Sequence, residues 1–224
     1  MERARAVKWF LIVTCLCALP ASVALLTMDR FELHRTMHPI HTRALDMFFR
    51  YVTHIGDGLT PTVIALYLLL FRRMRSFLMM AVGCALSAIV VQVLKQGPFS
   101  GMDRPSGFRE QLGDLHWLEG LELNHHFSFP SGHSAAAFGM CFAMAVLLGK
   151  KGWGTALGLL AVLIAYSRVY LNQHFTLDIL VGMVIGAGVS WLTYYYLYKS
   201  KYSKRSWLDR DGVAIGWVRR ARDR

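Results

Sequence analysis

Six stretches of this chain are apolar for long enough to constrain everything else, at roughly residues 7–27, 58–71, 76–95, 131–149, 153–170 and 174–198. The core of a bilayer takes about 20 apolar residues of helix, and somewhat shorter ones still span. With 54% hydrophobic residues and a mean hydropathy of +0.36, the chain is too apolar for an ordinary soluble domain of 224 residues. The first stretch has the basic start and apolar centre of a signal peptide. Its length and the weak cleavage site in "LPASVA" favour a retained helix. Residues 28–57 mix charge with aromatics, and Leu45, Phe48, Phe49 and Val52 recur at helical spacing, so an amphipathic helix at the membrane surface is expected there. Residues 96–130 read as a long polar loop, which in a compact protein is usually functional or disordered. The expected fold is all-α: a six-span bundle with an interfacial helix after the first span. Residues 1–198 form one domain, and 199–224 a basic, partly disordered cytoplasmic tail.

Charge sets the orientation. The net charge is +11. With the N-terminus inside, the inner segments hold 17 of the 25 Lys and Arg residues against Glu2, Asp209, Asp211 and Asp223, while the outer segments hold 8 basic residues and 10 acids. That bias fits the positive-inside rule with both ends cytoplasmic. It also accounts for the basic composition without nucleic acid, for which no basic, water-soluble face exists apart from the tail. Cys15, Cys17, Cys84 and Cys141 all lie in apolar stretches with no zinc-like spacing and read as small buried hydrophobes. His34, His38, His41 and His54 read as interfacial residues, not metal ligands. "HIGDG" at 54–58 reads as a turn into the second span, and His125 and His126 as loop histidines.

Chemistry gathers at the outer helix ends. The third span ends at Lys95, and the loop after it carries Arg104-Pro105. The fourth opens with Pro130-Ser131-Gly132-His133, the fifth ends at Ser167-Arg168, and the sixth runs from His174 to Asp178. Polar groups at membrane depth are costly and tend to be functional. A helix N-terminus offers unpaired N–H groups and partial positive charge. Pro130 suits a first turn, Ser131 can cap, and Gly132 admits an anion to the backbone, which makes a phosphate seat. Lys95, Arg104 and Arg168 supply charge-assisted hydrogen bonds. His174 and Asp178 are four apart on one helix face, so the carboxylate can orient the imidazole as a nucleophile. His133, from another helix, can protonate a leaving oxygen.

These residues resemble a known family. "PSGH" and "SRVYLNQHFTLD" match two of the three signature motifs of the type 2 phosphatidic acid phosphatase superfamily. "KQGPFSGMDRP" is similar to the first, with eight residues between Lys95 and Arg104, two more than the usual pattern. The resemblance covers roughly residues 55–198. It implies a six-span, metal-independent phosphatase with no cofactor. Lys95, Arg104, Ser131, Gly132 and Arg168 hold phosphate, His174 becomes a phosphohistidine, and Asp178 orients it. His133 acts as acid and then as base for water. Vanadate binds related members as a mimic of the transition state.

The expected partners are membrane lipids and a lipid phosphate substrate presented at the outer face of the cytoplasmic membrane. Undecaprenyl pyrophosphate leads, with phosphatidylglycerol phosphate, phosphatidic acid and lipid A as alternatives. A phosphotransferase using the same phosphohistidine is a second reading. A transporter or structural membrane protein is a third, against which the complete histidine pair argues. The sequence does not decide the oligomeric state.

Overall fold

The computed structural model describes residues 2–38 and 40–216, and among these it is entirely helical. The long helices are α1 (Glu2–Ala24), α5 (Met74–Gln96), α7 (Lys151–Tyr170) and α8 (Thr176–Tyr198), each long and apolar enough to cross a membrane. The shorter apolar α6 (Gly132–Leu148) has 17 residues. Between α1 and α5 lie α2 (Arg30–Thr36), α3 (Arg43–Val52), a 3-10 turn at Thr53–Gly56 and α4 (Leu59–Phe71). The stretch from α3 through the 3-10 turn joins α4 at a bend of 47°, and the pair together passes as a fifth span.

Helix α6 is the axis of the bundle and packs against α1, α5, α7 and α8. Its sequence allows this: "SAAAFGMCFAMA" interleaves small residues, Ser134 to Ala137, Gly139, Cys141 and Ala143, with larger ones, so backbones can approach closely where the small residues face them. Phe10 of α1 meets Phe138 and Phe142 edge to face, at centroid distances of 6.4 and 5.4 Å. On α8, Gly182 and Gly186 lie one turn apart against the α6 backbone. A Cβ on Gly186 would overlap the Ala135 carbonyl, and one on Gly182 would sit 2.5 Å from the Ser131 carbonyl. Ser190 of α8 donates to the Gly139 carbonyl at 3.3 Å, and Gly83 of α5 closes on the same serine. Lipid tails give helices no hydrophobic reason to associate, so this close backbone packing carries the bundle.

The two ends of the bundle differ. At one, Arg3 covers the Tyr198 ring and Gly149 packs beside Arg3. Arg75 donates to the Leu197 and Ser203 carbonyls and pairs with Asp209 at 2.7 Å. The opposite end gathers the 3-10 turn, the C-termini of α5 and α7, the N-termini of α6 and α8, and the long connection 97–131. Helix α2 docks there: Phe31 and His34 pack on Phe175, and the buried His34 Nε2 lies 2.9 Å from Asn172 Oδ1.

Several expectations change. Residues 199–216 are ordered, with 3-10 turns at Lys201–Lys204 and Ser206–Asp209 clasped by Arg75. The rest of the expected disordered tail, 217–224, lies outside the described residues. Cys15 and Cys17 are exposed on α1 instead of buried, because that helix touches the bundle on one side only. Pro130 precedes the cap of α6 and is not in its first turn, since Ser131 already occupies the cap position. His174 likewise precedes α8. Phe175 is its cap residue because the Asp178 carboxylate accepts the Phe175 amide at 3.0 Å and starts the helix there.

Two outcomes follow. Gly186→Ala should lower thermal stability in detergent by about 1–3 kcal/mol or more through overpacking. Gly188→Ala, where a Cβ meets open space, should stay within about 0.5 kcal/mol of the parent. Burial lowers the His34 imidazole to about 4 from its ordinary 6.5; Arg35 adds to the shift and the Asn172 bond opposes it. Between those values the unfolded chain binds more protons than the folded one. His34's stabilisation is therefore complete above about pH 6.5 and is lost as pH falls towards 4, on the order of 3 kcal/mol in all. Melting curves from about pH 7 to about pH 4.5 should shift downward, with a shallower dependence in His34→Gln.

Candidate active site

Helix termini build the site. The Ser131 amide donates to the Asp178 carbonyl at 3.0 Å, which ties the starts of α6 and α8 together. Ser134 Oγ adds a bond to the Ile179 carbonyl at 2.7 Å. Ser131 is fully buried and caps α6 by accepting from the Ser134 amide at 3.3 Å, and Gly132 opens the helix beside it. Its hydroxyl and the first amides of α6 thus form an anion seat at a dipole's positive end.

His174 is 1% exposed. The turn between α7 and α8 holds it by a backbone bond from its amide to the Arg168 carbonyl at 3.1 Å. Its Nδ1 lies 3.3 Å from Asp178 Oδ2. That oxygen also accepts from the Phe175 amide and from Ser128 Oγ. Ser128 in turn is fixed by its amide on the Met102 carbonyl at 2.8 Å. With Nδ1 committed to the carboxylate, Nε2 is the ring nitrogen left to react. Burial, then Arg104, Arg168 and Lys95, and then His133, hold the His174 imidazole well below its ordinary value, so it is neutral at neutral pH.

Three cations surround this imidazole. Arg168 is 7% exposed. Its Nη1 donates to Thr53 Oγ1 at 2.7 Å, and its Nε is buried without a partner among the described residues. Arg104 is held by Nε on the His126 carbonyl at 3.0 Å and by Nη1 on Gln173 Oε1 at 3.1 Å. Burial lowers its guanidinium from the ordinary value, but an arginine remains charged. Lys95, in the last turn of α5, is half-buried and close enough to interact with Arg104, Asp178 and Arg168. The two extra residues after Lys95 therefore do not carry it away; they form turns across 97–101 before the chain returns at Arg104.

His133, in the first turn of α6, has Nε2 2.6 Å from Asp57 Oδ1. The other Asp57 oxygen is 2.9 Å from His54 Nδ1. All eight residues marked by the sequence thus meet at one end of the bundle. Four others emerge only from packing: Asp57, Thr53, Ser128 and Gln173. "HIGDG" displays Asp57 in the sequence, but only the fold brings it 2.6 Å from a histidine 76 positions later. The one signal for Ser128 is its place two residues before the proline of "PSGH". Thr53 and Gln173 carry no signal.

Chemically, the arrangement suits an oxyanion. Cations and amides dominate, and each carboxylate is already engaged by a histidine, so the end has donors to spare and few free acceptors. An imidazole with one nitrogen held by a carboxylate, a second histidine on another helix and a ring of cations and amides are the groups that covalent transfer of an oxyanion requires.

Comparisons agree with this geometry. The profile of the PAP2 superfamily matches residues 76–202, a range that includes every residue of the site except Thr53, His54 and Asp57. A lipid A 4'-phosphatase from Bacteroides thetaiotaomicron is 31% identical over 102 residues, 46% of this chain and 45% of that protein. An undecaprenyl-diphosphatase from Sulfolobus acidocaldarius is 38% identical over 68 residues, 30% of this chain and 32% of that one. The chain thus spans less than half the length of these two curated relatives. The crystal structure of Aquifex aeolicus LpxE aligns with a TM-score of 0.64 at 30% identity, over 76% of this chain and 98% of that chain. With the signature residues gathered at one end of a helical bundle and the profile matched over more than half of the sequence, the chain belongs to the PAP2 superfamily.

Proposed function

We propose that this protein is a membrane phosphatase that removes a terminal phosphate or pyrophosphate group from a lipid through a phosphohistidine on His174. The observation that carries the reading is the Asp178–His174 pair buried among Arg104, Arg168 and Lys95, with Arg168 Nε lacking a partner among the described residues. An incoming phosphate satisfies that nitrogen, the capping hydroxyl of Ser131 and the amides after Gly132. His174 Nε2 attacks phosphorus as the ester or anhydride P–O bond breaks, and His133 gives its proton to the departing oxygen. His133 then takes a proton from water, which attacks the phosphohistidine, releases phosphate and restores the neutral imidazole. With Nε2 of His133 on Asp57, Nδ1 is the nitrogen left to carry that proton, and the carboxylate stabilises the imidazolium before it is spent.

A groove between α4 and α5 supports a lipid substrate. It has a volume of about 460 Å³, is lined by Pro61, Ala65, Leu66, Phe77, Ala81 and Ala88, and reaches Ala136, one turn beyond His133 on α6. Its α5 wall from Phe77 to Ala88 is roughly 16 Å long, room for a stretch of acyl or prenyl chain. Undecaprenyl pyrophosphate and a lipid A phosphate are the two head groups suggested by the names of the relatives. In the membrane, α1, α4, α5, α6, α7 and α8 form six spans, with α3 as the interfacial helix. The basic end faces the cytoplasm and the catalytic end faces outward.

In detergent, phosphate release from a panel of lipid phosphates should survive EDTA, be blocked by vanadate, and fall about 10³-fold or more in His174→Ala. Turnover that needs added metal, or a labelled phosphoryl group trapped elsewhere than on His174, contradicts the mechanism. Transfer to a lipid acceptor without free phosphate identifies a phosphotransferase instead. His133→Ala should cost about 10²–10⁴-fold on alkyl phosphates and much less on aryl phosphates with good leaving groups. Asp57→Asn should follow the same pattern more mildly; equal losses on both classes remove the pair from proton transfer. For orientation, Glu119→Cys in a chain free of its native cysteines should react with an impermeant thiol reagent on intact cells. Reaction only after lysis inverts the topology.

A further inference from the structure

Beside the catalytic end, outside the phosphate site, lies a cluster of histidines that the proposed reaction does not use. His41 comes from the connection before α3, Asp46 from the first turn of α3, and His116 from the long loop before α6. One ligand atom from each lies within 4.8 Å of the other two. His116 Nε2 is 3.1 Å from Asp46 Oδ2, and His41 Nδ1 is 3.7 Å from Asp46 Oδ1. Tetrahedral zinc, with bonds of about 2.0–2.1 Å, holds its ligand atoms about 3.3 Å apart. The two histidine–carboxylate spacings lie on either side of that value.

The surrounding hydrogen bonds orient the three side chains as metal ligands are oriented. His41 Nδ1 is buried and has no hydrogen-bond partner among the described residues, although the other ring nitrogen is 2.7 Å from His38 Nδ1. Metal-bound histidines commonly use the second nitrogen in this way, which fixes the tautomer that frees the first for the metal. Asp46 is oriented by the Tyr170 hydroxyl, which donates to Oδ1 at 2.6 Å. The His41 ring lies against His116 and Tyr170 at centroid distances of 4.5 Å in both cases. His116 is 43% exposed and Asp46 15%, so the cluster has an entry path and an open position for water. Two imidazoles and one carboxylate are a donor set for zinc among available divalent ions, too nitrogen-rich for calcium or magnesium.

We propose that His41, Asp46 and His116 bind a zinc ion that fastens α3 to the long loop beside the end of α7. The His116 carbonyl accepts from Asn172 Nδ2 at 2.9 Å, and Asn172 stands two residues before His174. The ion therefore braces the turn that carries the proposed nucleophile without taking part in its chemistry. This revises the reading of His41 as a plain interfacial residue. The sequence shows no ligand spacing because the third donor arrives from 70 positions beyond Asp46.

The test is zinc binding by the full chain in detergent after chelator treatment, followed by calorimetry with zinc chloride and by melting curves. Wild type should take up one equivalent and, at about a hundredfold excess over Kd, melt about 5–10 °C higher. His116→Gln, His41→Gln and Asp46→Asn should each weaken binding by about tenfold or more. His133→Ala and His54→Ala should bind as wild type does. His116→Gln alters a half-exposed side chain and keeps the assay interpretable if the other two variants fold poorly. Absence of saturable binding overturns the proposal. So does binding unchanged in His116→Gln, or binding lost in His133→Ala, which moves the ion to the catalytic end. Vanadate-sensitive turnover in the zinc-free protein leaves the phosphatase reading intact whichever result is obtained.

Discussion

A single backbone bond, from the Ser131 amide to the Asp178 carbonyl, joins the starts of α6 and α8 and sets the geometry of the catalytic end. It forms because Gly182 removes the side chain that would otherwise hold the two helices apart at the Ser131 carbonyl. The same contact sets the anion seat at the N-terminus of α6 beside the carboxylate that orients His174. Two residues with different tasks, one capping a helix and one steadying an imidazole, are thus coupled by packing. Below them Gly186, Gly139, Gly83 and Ser190 extend the close approach down the bundle. In a bilayer, where apolar side chains gain little from meeting each other, such backbone proximity is the main source of cohesion.

The electrostatics of this end make sense only with an anion. Arg104 and Arg168 are nearly fully buried, Lys95 is half-buried, and all three lie within interaction distance of Asp178 or of one another. A protein gains nothing by burying three cations around one carboxylate, and removing them from water is expensive. Backbone carbonyls at His126 and Gln173 and the hydroxyl of Thr53 relieve part of that cost. In the proposed reaction the remainder is offset by a phosphoryl group carrying negative charge. The proposed zinc cluster differs in kind. It is built from neutral imidazoles and one carboxylate, and it braces the loop wall of the same end.

Much of this architecture is legible in the linear sequence. The limits of α4, α5, α6 and α7 fall within about three residues of the apolar stretches, because a span has to be apolar throughout and its ends are marked by Arg72, Lys95, Gly149 and Tyr170. The eight marked site residues also converge. Each sits at a helix end on one side, and alternating passes through a membrane fix which ends share a side. What stays hidden are partners without a pattern of their own. Asp57 stands in a turn, Ser128 just before "PSGH" and Gln173 directly before His174; none has periodicity, and nothing in the linear order says which side chain each will meet. The tail differs from expectation for a related reason. Its basic composition suggests disorder, but Arg75 offers the carbonyls of 197 and 203 and the carboxylate of Asp209 a shared donor.

The sequence by itself determined the class of structure and which polar side chains stand at its helix ends. Hydrophobic length dictates helices in lipid, and the order and spacing of Arg104, Ser131, His133, Arg168, His174 and Asp178 put polar groups at the helix ends that the fold brings together. Only the tertiary structure decided which groups act on those residues: Asp57 against His133, Ser128 against Asp178, Thr53 against Arg168, and His41 with Asp46 and His116. These pairings span from 50 to 115 positions, or, for the last, unite two connections with a helix start. Side-chain partnerships across such distances depend on where loops settle, and loops obey no repeat that a linear reading can follow.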